Sequence, residues 1–210
     1  MARNLDPKCK LCRREGIKLF LKGEKCLSPK CSLLKRNYPP GIHGSTSSFK
    51  RTSSYNKQLR EKQKAKRLYQ LLEKQFKNYH FKAVKMSGDS SENILRFLET
   101  RFDNIVYRLG FVSSRDTARQ LINHGHFLVN GKKVSIPSYQ VKVGDVITVN
   151  KKVLEKAFWK NRLPQFGKTE TMGWLSFDPA NLTGKMVSLP KKEEVPVPFD
   201  MTLILEFYSR

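Results

Sequence analysis

The stretch ETRFDNIVYRLGFVSSRDTARQLINHGHFLVNGKKVSIPSYQVKVGDVI, residues 99–147, decides the fold. Apolar residues recur at helical spacing from just upstream of it: Ile94, Leu95, Leu98, Phe102, Ile105, Val106 and Leu109. Gly110 predicts the end of this helix. Ser113, with Asp116 three positions on, predicts the N-cap of a short second helix that ends at Gly125. The pattern therefore predicts a two-helix hairpin.

A β-hairpin is expected directly after these helices. Residues 127–129 and 132–134 flank Asn130-Gly131, a pair that readily supplies the two positive φ angles of a type I′ turn. Gly144-Asp145 then leads into the alternating residues 146–149. The order helix, helix, hairpin, strand predicts a compact unit with a small antiparallel sheet.

The charge of the chain points to a polyanionic partner. The 210 residues contain 41 Lys and Arg against 18 Asp and Glu, a formal net charge of +23. No window approaches the roughly 18 consecutive apolar residues of a membrane span, and the first ten residues have no apolar signal core. We therefore expect nucleic acid, not a membrane, as the partner, and a cytoplasmic location.

The four cysteines form one group near the start of the chain. Their spacing is Cys9-x2-Cys12-x13-Cys26-x4-Cys31, which is typical of a tetrahedral metal site with two pairs of thiolates. Four thiolates leave no open position for substrate, so a structural Zn²⁺ is predicted, with an iron–sulfur cluster as the alternative. Two disulfides are a further alternative, although they are rare in the cytosol. His43 lies beyond the cysteines and is read as a loop residue near RNA.

A long basic run, residues 55–86, contains neither Gly nor Pro and predicts one or two amphipathic helices. Only Glu61 and Glu73 offset eight cations of this run that lie between residues 57 and 77: Lys57, Arg60, Lys62, Lys64, Lys66, Arg67, Lys74 and Lys77. A solvated charged face would explain the pattern, but such faces usually alternate in sign. A face that tracks RNA phosphates is the preferred interpretation.

Catalysis is the competing class of function. Asp103, Asp116, Asp145, His124 and His126 are scattered among turn and cap positions, and no Gly-rich phosphate loop or nucleophile motif is present. We therefore predict no enzymatic activity and no small-molecule substrate. A regulatory DNA-binding zinc protein is a second alternative, but the sequence lacks the zinc-finger pattern of two cysteines followed by two histidines, and it lacks a dimerising heptad.

Residues 99–147 resemble the small RNA-binding module named after small-subunit ribosomal protein four. The resemblance rests on short motifs in the same order, including Arg101-Phe102-Asp103, Ser113-Ser114-Arg115, Val129-Asn130-Gly131-Lys132 and Gly144-Asp145. It extends beyond the module to MARNLDPKCKLCRREG at the start, LREKQKAKR at residues 59–67 and LEFYSR at the end. Nearly the whole chain thus resembles the bacterial uS4 family.

The resemblance implies an α+β fold in four parts. These are a four-cysteine metal-binding basic segment (1–45), an α-helical domain (46–98, completed by about 195–210), an inserted RNA-binding module with a helix hairpin and a small antiparallel β-sheet (99–165), and a β/loop extension of that module (166–194). The last segment alternates like a strand at Leu203, Leu205 and Phe207, but the family fold favours a helix there.

For function, the resemblance implies a structural constituent of the small ribosomal subunit. It would be a primary binder of 16S rRNA at a multi-helix junction of the 5′ domain, and would nucleate assembly of the subunit body. It would also contact neighbouring small-subunit proteins, chiefly protein five, where decoding accuracy is set, and mRNA at the entry channel. The chain departs from the family at residues 42–48, where Ile42 and a Ser-rich loop replace Gln and an Arg/Lys-rich loop.

The predicted RNA-binding residues follow from the charge pattern and the resemblance together. Arginines of the helix hairpin and Lys132 would contact phosphates, and the N-cap at Ser113 would direct helix N–H groups at one phosphate. The full predicted set is Arg13, Arg14, Lys50, Arg51, Arg60, Lys62, Lys64, Arg67, Arg101, Arg108, Ser113, Arg115, Arg119, Gln120, His124, His126, Asn130, Lys132 and Lys133. The predicted metal ligands are Cys9, Cys12, Cys26 and Cys31.

Overall fold

A computed structural model describes residues 4–46, 53–166 and 171–209. The chain forms two compact units, an N-terminal unit of Met1–Ser91 with Val197–Arg210, and a central unit of Glu92–Pro196. Within the described residues, no helix has the length and apolar character needed to cross a membrane. The predicted α+β class with a small antiparallel sheet is confirmed, whereas the four-part domain division stays a prediction.

The N-terminal unit is helical. Its helices are α1 (Lys8–Glu15), α2 (Glu24–Leu27), α3 (Ser32–Lys35), α4 (Ser54–Leu68) and α5 (Glu73–Val84), joined later by α10 (Met201–Tyr208). The basic run predicted as one or two helices is two, α4 and α5. Gln70 separates them because its backbone takes a left-handed φ of 54°, which ends the helical hydrogen-bond ladder.

The closing helix α10 packs against α4. Its N-cap is Asp200, whose carboxylate accepts the Thr202 backbone N–H at 2.8 Å. Met201 and Ile204 are buried, and the Tyr208 ring lies 4.6 Å from the His80 ring between centroids. The preference for a helix over a strand at the end of the chain is therefore confirmed.

Glu73 connects α4, α5 and α10 electrostatically. Its carboxylate accepts hydrogen bonds from Lys62 Nζ at 2.8 Å, Lys66 Nζ at 3.0 Å and the Tyr208 hydroxyl at 2.8 Å. Partial burial alone would raise the pKa of Glu73, but these hydrogen bonds outweigh it and lower the pKa to about 2. The carboxylate is thus held in its charged form.

The central unit begins with the helices of the deciding stretch, α6 (Ser90–Glu99), α7 (Phe102–Arg108) and α8 (Arg115–Asn123). The prediction of one continuous helix through Leu109 is wrong, because the helix is interrupted at Arg101. That residue is extended and forms an antiparallel bridge with Gln140. The first N–H groups of α7 then donate to the Tyr139 and Pro137 carbonyls, at 2.9 and 3.1 Å, which compensates for the lost helical bonds.

A five-stranded antiparallel sheet completes the central unit. Its strands are β1 (Phe127–Val129), β2 (Lys132–Lys133), β3 (Val146–Val149), β4 (Leu175–Asp178) and β5 (Thr183–Met186), in the order β2-β1-β3-β5-β4. Asn130 and Gly131 have φ angles of 49° and 77°, which confirms the predicted hairpin turn. The short helix α9 (Ala157–Arg162) lies between β3 and β4 in sequence.

Aromatic rings fill the core beneath this sheet. Phe111 makes edge-to-face contacts with Phe127, Phe166 and Phe177, at centroid distances of 5.0–6.0 Å. Trp159 and Trp174 are both fully buried. This core gives the surface residues of α8 and the β1–β2 hairpin a fixed support.

The low pKa of Glu73 predicts a pH-dependent contribution to stability. Because its folded-state pKa lies below the ordinary value of 4.5, the contribution is present above about pH 4.5 and is lost as the pH falls towards 2. We expect Glu73→Gln to lower the free energy of unfolding at neutral pH by about 1 kcal/mol, since the half-exposed site is screened by solvent. Urea unfolding followed by circular dichroism over a pH series measures the difference.

The control is Glu24→Gln, which removes an exposed carboxylate of the same unit. The difference in free energy of unfolding between Glu73→Gln and the unchanged chain should shrink as the pH falls. The control variant should differ little from the unchanged chain at any pH. A difference of constant size from pH 6 to pH 2 would contradict the prediction.

Candidate RNA-binding surface

Two arginines of the predicted RNA-binding set converge on one buried carboxylate. Arg101 donates from Nε and Nη2 to the two oxygens of Asp103, at 3.0 and 2.7 Å. Arg119 donates from Nε and Nη2 to Asp103 Oδ2, at 3.1 and 2.6 Å. The side chains are 0, 4 and 3% exposed for Arg101, Asp103 and Arg119, so this triad lies inside the unit.

A second buried chain of polar contacts begins at Glu99. Its carboxylate accepts both Nε and Nη2 of Arg108, at 3.1 and 2.9 Å, and Nδ2 of Asn104 at 2.7 Å. Asn104 Oδ1 in turn accepts Arg115 Nε at 2.8 Å. The Arg115 guanidinium lies over the Tyr107 ring, 4.4 Å from its centroid. These contacts tie the end of α6 to α7 and α8.

The two sets of contacts give internal partners to the four hairpin arginines, Arg101, Arg108, Arg115 and Arg119. The sequence predicted phosphate contacts for them, and that role stays a prediction. Asp103 and Glu99 are the residues that sequence reasoning missed, because it assigned Asp103 to a simple cap and gave Glu99 no role. The one available signal was the closeness in sequence of Arg101 and Asp103, an arginine and a carboxylate two residues apart.

The N-cap of α8 is one residue later than predicted. Ser114, not Ser113, has the extended backbone of an N-cap, and its hydroxyl accepts the Thr117 N–H at 3.2 Å. The predicted pairing of Ser113 with Asp116 therefore does not set the start of the helix. The extended backbone of Ser114, with φ −152° and ψ 153°, excludes a helix that begins one residue earlier.

Several predicted residues of the central unit lie on its surface, namely Gln120, His124, Asn130, Lys132 and Lys133. The Asn130 side chain also holds its own turn, since it donates to Asp145 at 2.8 Å and accepts the Val146 N–H at 2.9 Å. The Lys133 side chain crosses Gly125, where an added Cβ would collide with Lys133 Cε. The ammonium group thus lies near the C-terminal end of α8, which the helix dipole favours.

His126 lies behind this surface. It is 5% exposed, and its Nδ1 accepts the Trp159 indole N–H at 3.0 Å. Burial lowers the pKa of His126, and the nearby Lys156 and His124 lower it further. The ring is therefore neutral at physiological pH and is part of the core. The RNA contact predicted for His126 stays a prediction.

The predicted cations of α4 have carboxylate partners within the N-terminal unit. Arg60 and Arg67 both donate to Glu15 Oε1, and the Glu15 side chain is fully buried. Burial raises the pKa of Glu15, while the two guanidinium groups oppose the rise. Lys64 pairs with Glu61, and Lys62 pairs with Glu73 while also lying 4.2 Å from the Phe207 ring centroid.

The remaining predicted cations lie near the start of the chain. Arg13 donates to the Tyr38 and Pro39 carbonyls at 3.0 and 3.2 Å, whereas Arg14 is exposed. Lys50 and Arg51 lie outside the described residues.

The four cysteines are all described, and none forms a disulfide. Cys12, Cys26 and Cys31 are buried, and Cys9 is half-buried. Burial raises the pKa of Cys12, a hydrogen bond from the Leu19 backbone lowers it, and the other three cysteines raise it. Even so, among the described residues no three His, Cys, Asp or Glu side chains are grouped closely enough to hold a metal ion. The predicted metal site is therefore not shown.

Comparison with known proteins extends over the whole chain. The family models described as Ribosomal protein S4/S9 N-terminal domain and S4 domain match residues 3–99 and 100–147. Small ribosomal subunit protein uS4A of Alkaliphilus metalliredigens is 51% identical over 210 residues, which cover 100% of both chains. The chain belongs to the uS4 family.

Other uS4 relatives give the same result. Small ribosomal subunit protein uS4 of Caldicellulosiruptor saccharolyticus is 50% identical, and uS4A of Clostridium perfringens is 52% identical, each over 100% of both chains. Membership of the uS4 family, whose proteins are structural components of ribosomes, confirms the prediction that the chain is not an enzyme.

Asp103→Asn tests the buried triad. It would leave Arg101 and Arg119 buried without the charge of Asp103, and breaking a buried ion pair costs about 3–5 kcal/mol of stability. Thermal and urea unfolding of the full chain, with hydrogen exchange of the α7 and α8 amides, measures the effect. Glu155→Gln, at an exposed carboxylate of the same unit, should change little. Equal stability of the two variants would show that the triad contributes nothing.

Proposed function

We propose that the chain is a structural constituent of the small ribosomal subunit, located in the cytoplasm, and that it binds 16S rRNA. The observation that carries this proposal is its end-to-end similarity to proteins named as small ribosomal subunit proteins, across both matched domains. The net charge of +23 supports it, since a polyanion such as rRNA is the natural counterpart of such an excess.

The RNA contact of the central unit is proposed for its exposed residues Lys132, Lys133, His124 and Gln120. They stand on the β1–β2 hairpin and the C-terminal part of α8, which the buried core supports. Arg101, Arg108 and Arg119 act behind them, held by the carboxylates of Asp103 and Glu99, and Arg115 is held by Asn104. Their excess positive charge still favours phosphate nearby, although their side chains face inward.

The finer roles rest on the family resemblance. We infer that the contacted RNA is a multi-helix junction of the 5′ domain, that binding nucleates assembly of the subunit body, and that contact with protein five contributes to translational accuracy. A place near the mRNA entry channel is part of the same proposal. The Ser-rich loop at 45–48, which departs from the family pattern, gives that part the least support.

Binding to a 16S 5′-domain transcript and to duplex DNA at matched salt tests the proposal. We expect preference for the transcript, with affinity that falls linearly on a log–log plot against salt. Lys132→Gln should weaken binding and make the slope shallower by about 0.7–0.9, as expected for the loss of one phosphate contact.

The matched control is Lys185→Gln, which neutralises an exposed lysine on β5 outside the predicted RNA-binding set. It should leave affinity and slope nearly unchanged. Equal affinity for RNA and DNA would contradict the ribosomal proposal. Equal effects of the two lysine variants would contradict only the proposal that the β1–β2 hairpin contacts RNA.

The cysteine segment is proposed to hold one structural Zn²⁺, with an iron–sulfur cluster as the alternative. The donor set fits, since four thiols stand within one short segment and each could bind as thiolate. The Lys22 backbone N–H donates to Cys26 Sγ at 3.4 Å, and a backbone hydrogen bond from Leu19 favours the Cys12 thiolate. A bound ion would stabilise a segment that has little apolar core of its own.

Elemental analysis of anaerobically purified protein, together with its visible absorption spectrum, tests the metal. One zinc per chain and no visible band are expected, and a strong visible band with iron would indicate the cluster. Cys12→Ala should abolish retention of the metal, whereas Ser28→Ala, an exchange in the same segment, should not. Protein with neither zinc nor iron would overturn the proposal.

A further inference from the structure

A basic hollow opens on the surface of the N-terminal unit, beside α1 and α3. Its volume is about 300 Å³, and five cationic side chains and one hydroxyl contribute to its wall: Lys10, Arg13, Lys30, Lys35, Arg36 and Ser32. Only Arg13 among these belongs to the residues predicted to bind RNA. Within the described part of the chain, no carboxylate lines the hollow.

This hollow differs from the other basic clusters of the unit, because no carboxylate is present in its described lining. Arg60 and Arg67 pair with Glu15, and Lys62 pairs with Glu73. Cations gathered around a concave surface repel one another and concentrate positive potential there. A bound anion would relieve that repulsion, so the hollow is electrostatically suited to a negatively charged group.

One wall of the hollow is fixed before any ligand arrives. The Arg13 guanidinium donates to the Tyr38 and Pro39 carbonyls and lies 4.8 Å from the Tyr38 ring centroid. Lys10, Lys30, Lys35 and Arg36 are exposed and can turn their charged ends inward. A fixed guanidinium surrounded by adjustable cationic side chains is well suited to the several oxygens of a phosphate.

We propose that this hollow binds a phosphate group, supplied by the RNA backbone. The described lining contains no aromatic side chain on which a base could stack, and its cations and hydroxyl suit an oxyanion. Binding is therefore independent of the RNA sequence. The inference rests on the proposed rRNA binding and adds to it a contact in the N-terminal unit. Inorganic phosphate offers the same chemistry and is the alternative source.

The test compares two double variants of the full chain. Lys30→Gln with Arg36→Gln removes two charges from the hollow, whereas Lys22→Gln with Lys25→Gln removes two exposed charges of the same segment outside it. We expect the first pair to weaken binding to the 16S transcript about tenfold and to make the salt slope shallower by roughly 1.4–1.8. The second pair should change both values much less.

A titration followed by NMR distinguishes the source of the phosphate. Shifts of the Ser32, Lys35 and Arg36 amides with the transcript at micromolar concentration identify the RNA backbone, whereas shifts with inorganic phosphate alone identify a free-anion site. Either result supports a phosphate site, and no shift with either ligand would overturn it. The phosphate arm does not depend on rRNA, so it still tests the hollow if binding to the transcript proves unspecific.

The metal content of both double variants provides the remaining control. Cys9 also lines the hollow, so its cations could instead balance the charge of a thiolate metal centre. In that case the Lys30→Gln, Arg36→Gln variant would lose its metal. The fraction of that variant that still carried metal would bind RNA as tightly as the unchanged chain. That outcome would overturn the phosphate site, whereas unchanged metal content with weaker RNA binding supports it.

Discussion

Burial of two carboxylates, Asp103 and Glu99, is the constraint on which the central unit depends. Asp103 pairs with Arg101 and Arg119, which are almost completely removed from solvent, and Glu99 pairs with the largely buried Arg108. A buried arginine is very costly without a partner. Because the partners come from α6, α7 and α8, the contacts fix the mutual positions of these helices. The β1–β2 hairpin then gains a rigid support without any direct role in the ion pairs.

The cationic side chains of the protein are of two kinds. Some cations, such as Arg119 and Arg67, meet a carboxylate inside the protein and stabilise its fold. Others, such as Lys132 and Lys30, stand exposed at the surface, on the hairpin and around the basic hollow. Net charge alone cannot separate the two kinds, although only the second kind is fully available to an RNA phosphate.

Local patterns in the sequence predicted the regular elements well. Helical spacing predicted the helices of the basic run and of the deciding stretch, but not α1, α2 or α3. Asn130-Gly131 predicted the hairpin, because these signals depend on neighbouring residues. The break at Arg101 was not predictable in this way, since it arises from pairing with the distant Gln140. Likewise, the partner of Arg67 is Glu15, 52 residues earlier, so no local charge count around α4 could reveal it. The burial of the hairpin arginines was equally unpredictable, because their partners Asp103, Glu99 and Asn104 are brought to them by the fold.

The placement of the two tryptophans has a practical consequence for spectroscopy. Trp159 and Trp174 are the chain's only tryptophans, and both are buried in the central unit. Indole fluorescence therefore reports the unfolding of that unit alone. The N-terminal unit contains Tyr69, Tyr79 and Tyr208 but no tryptophan, so its melting would be silent in the indole emission and visible in tyrosine signals. Indole emission can thus follow the central unit by itself in the unlabelled protein.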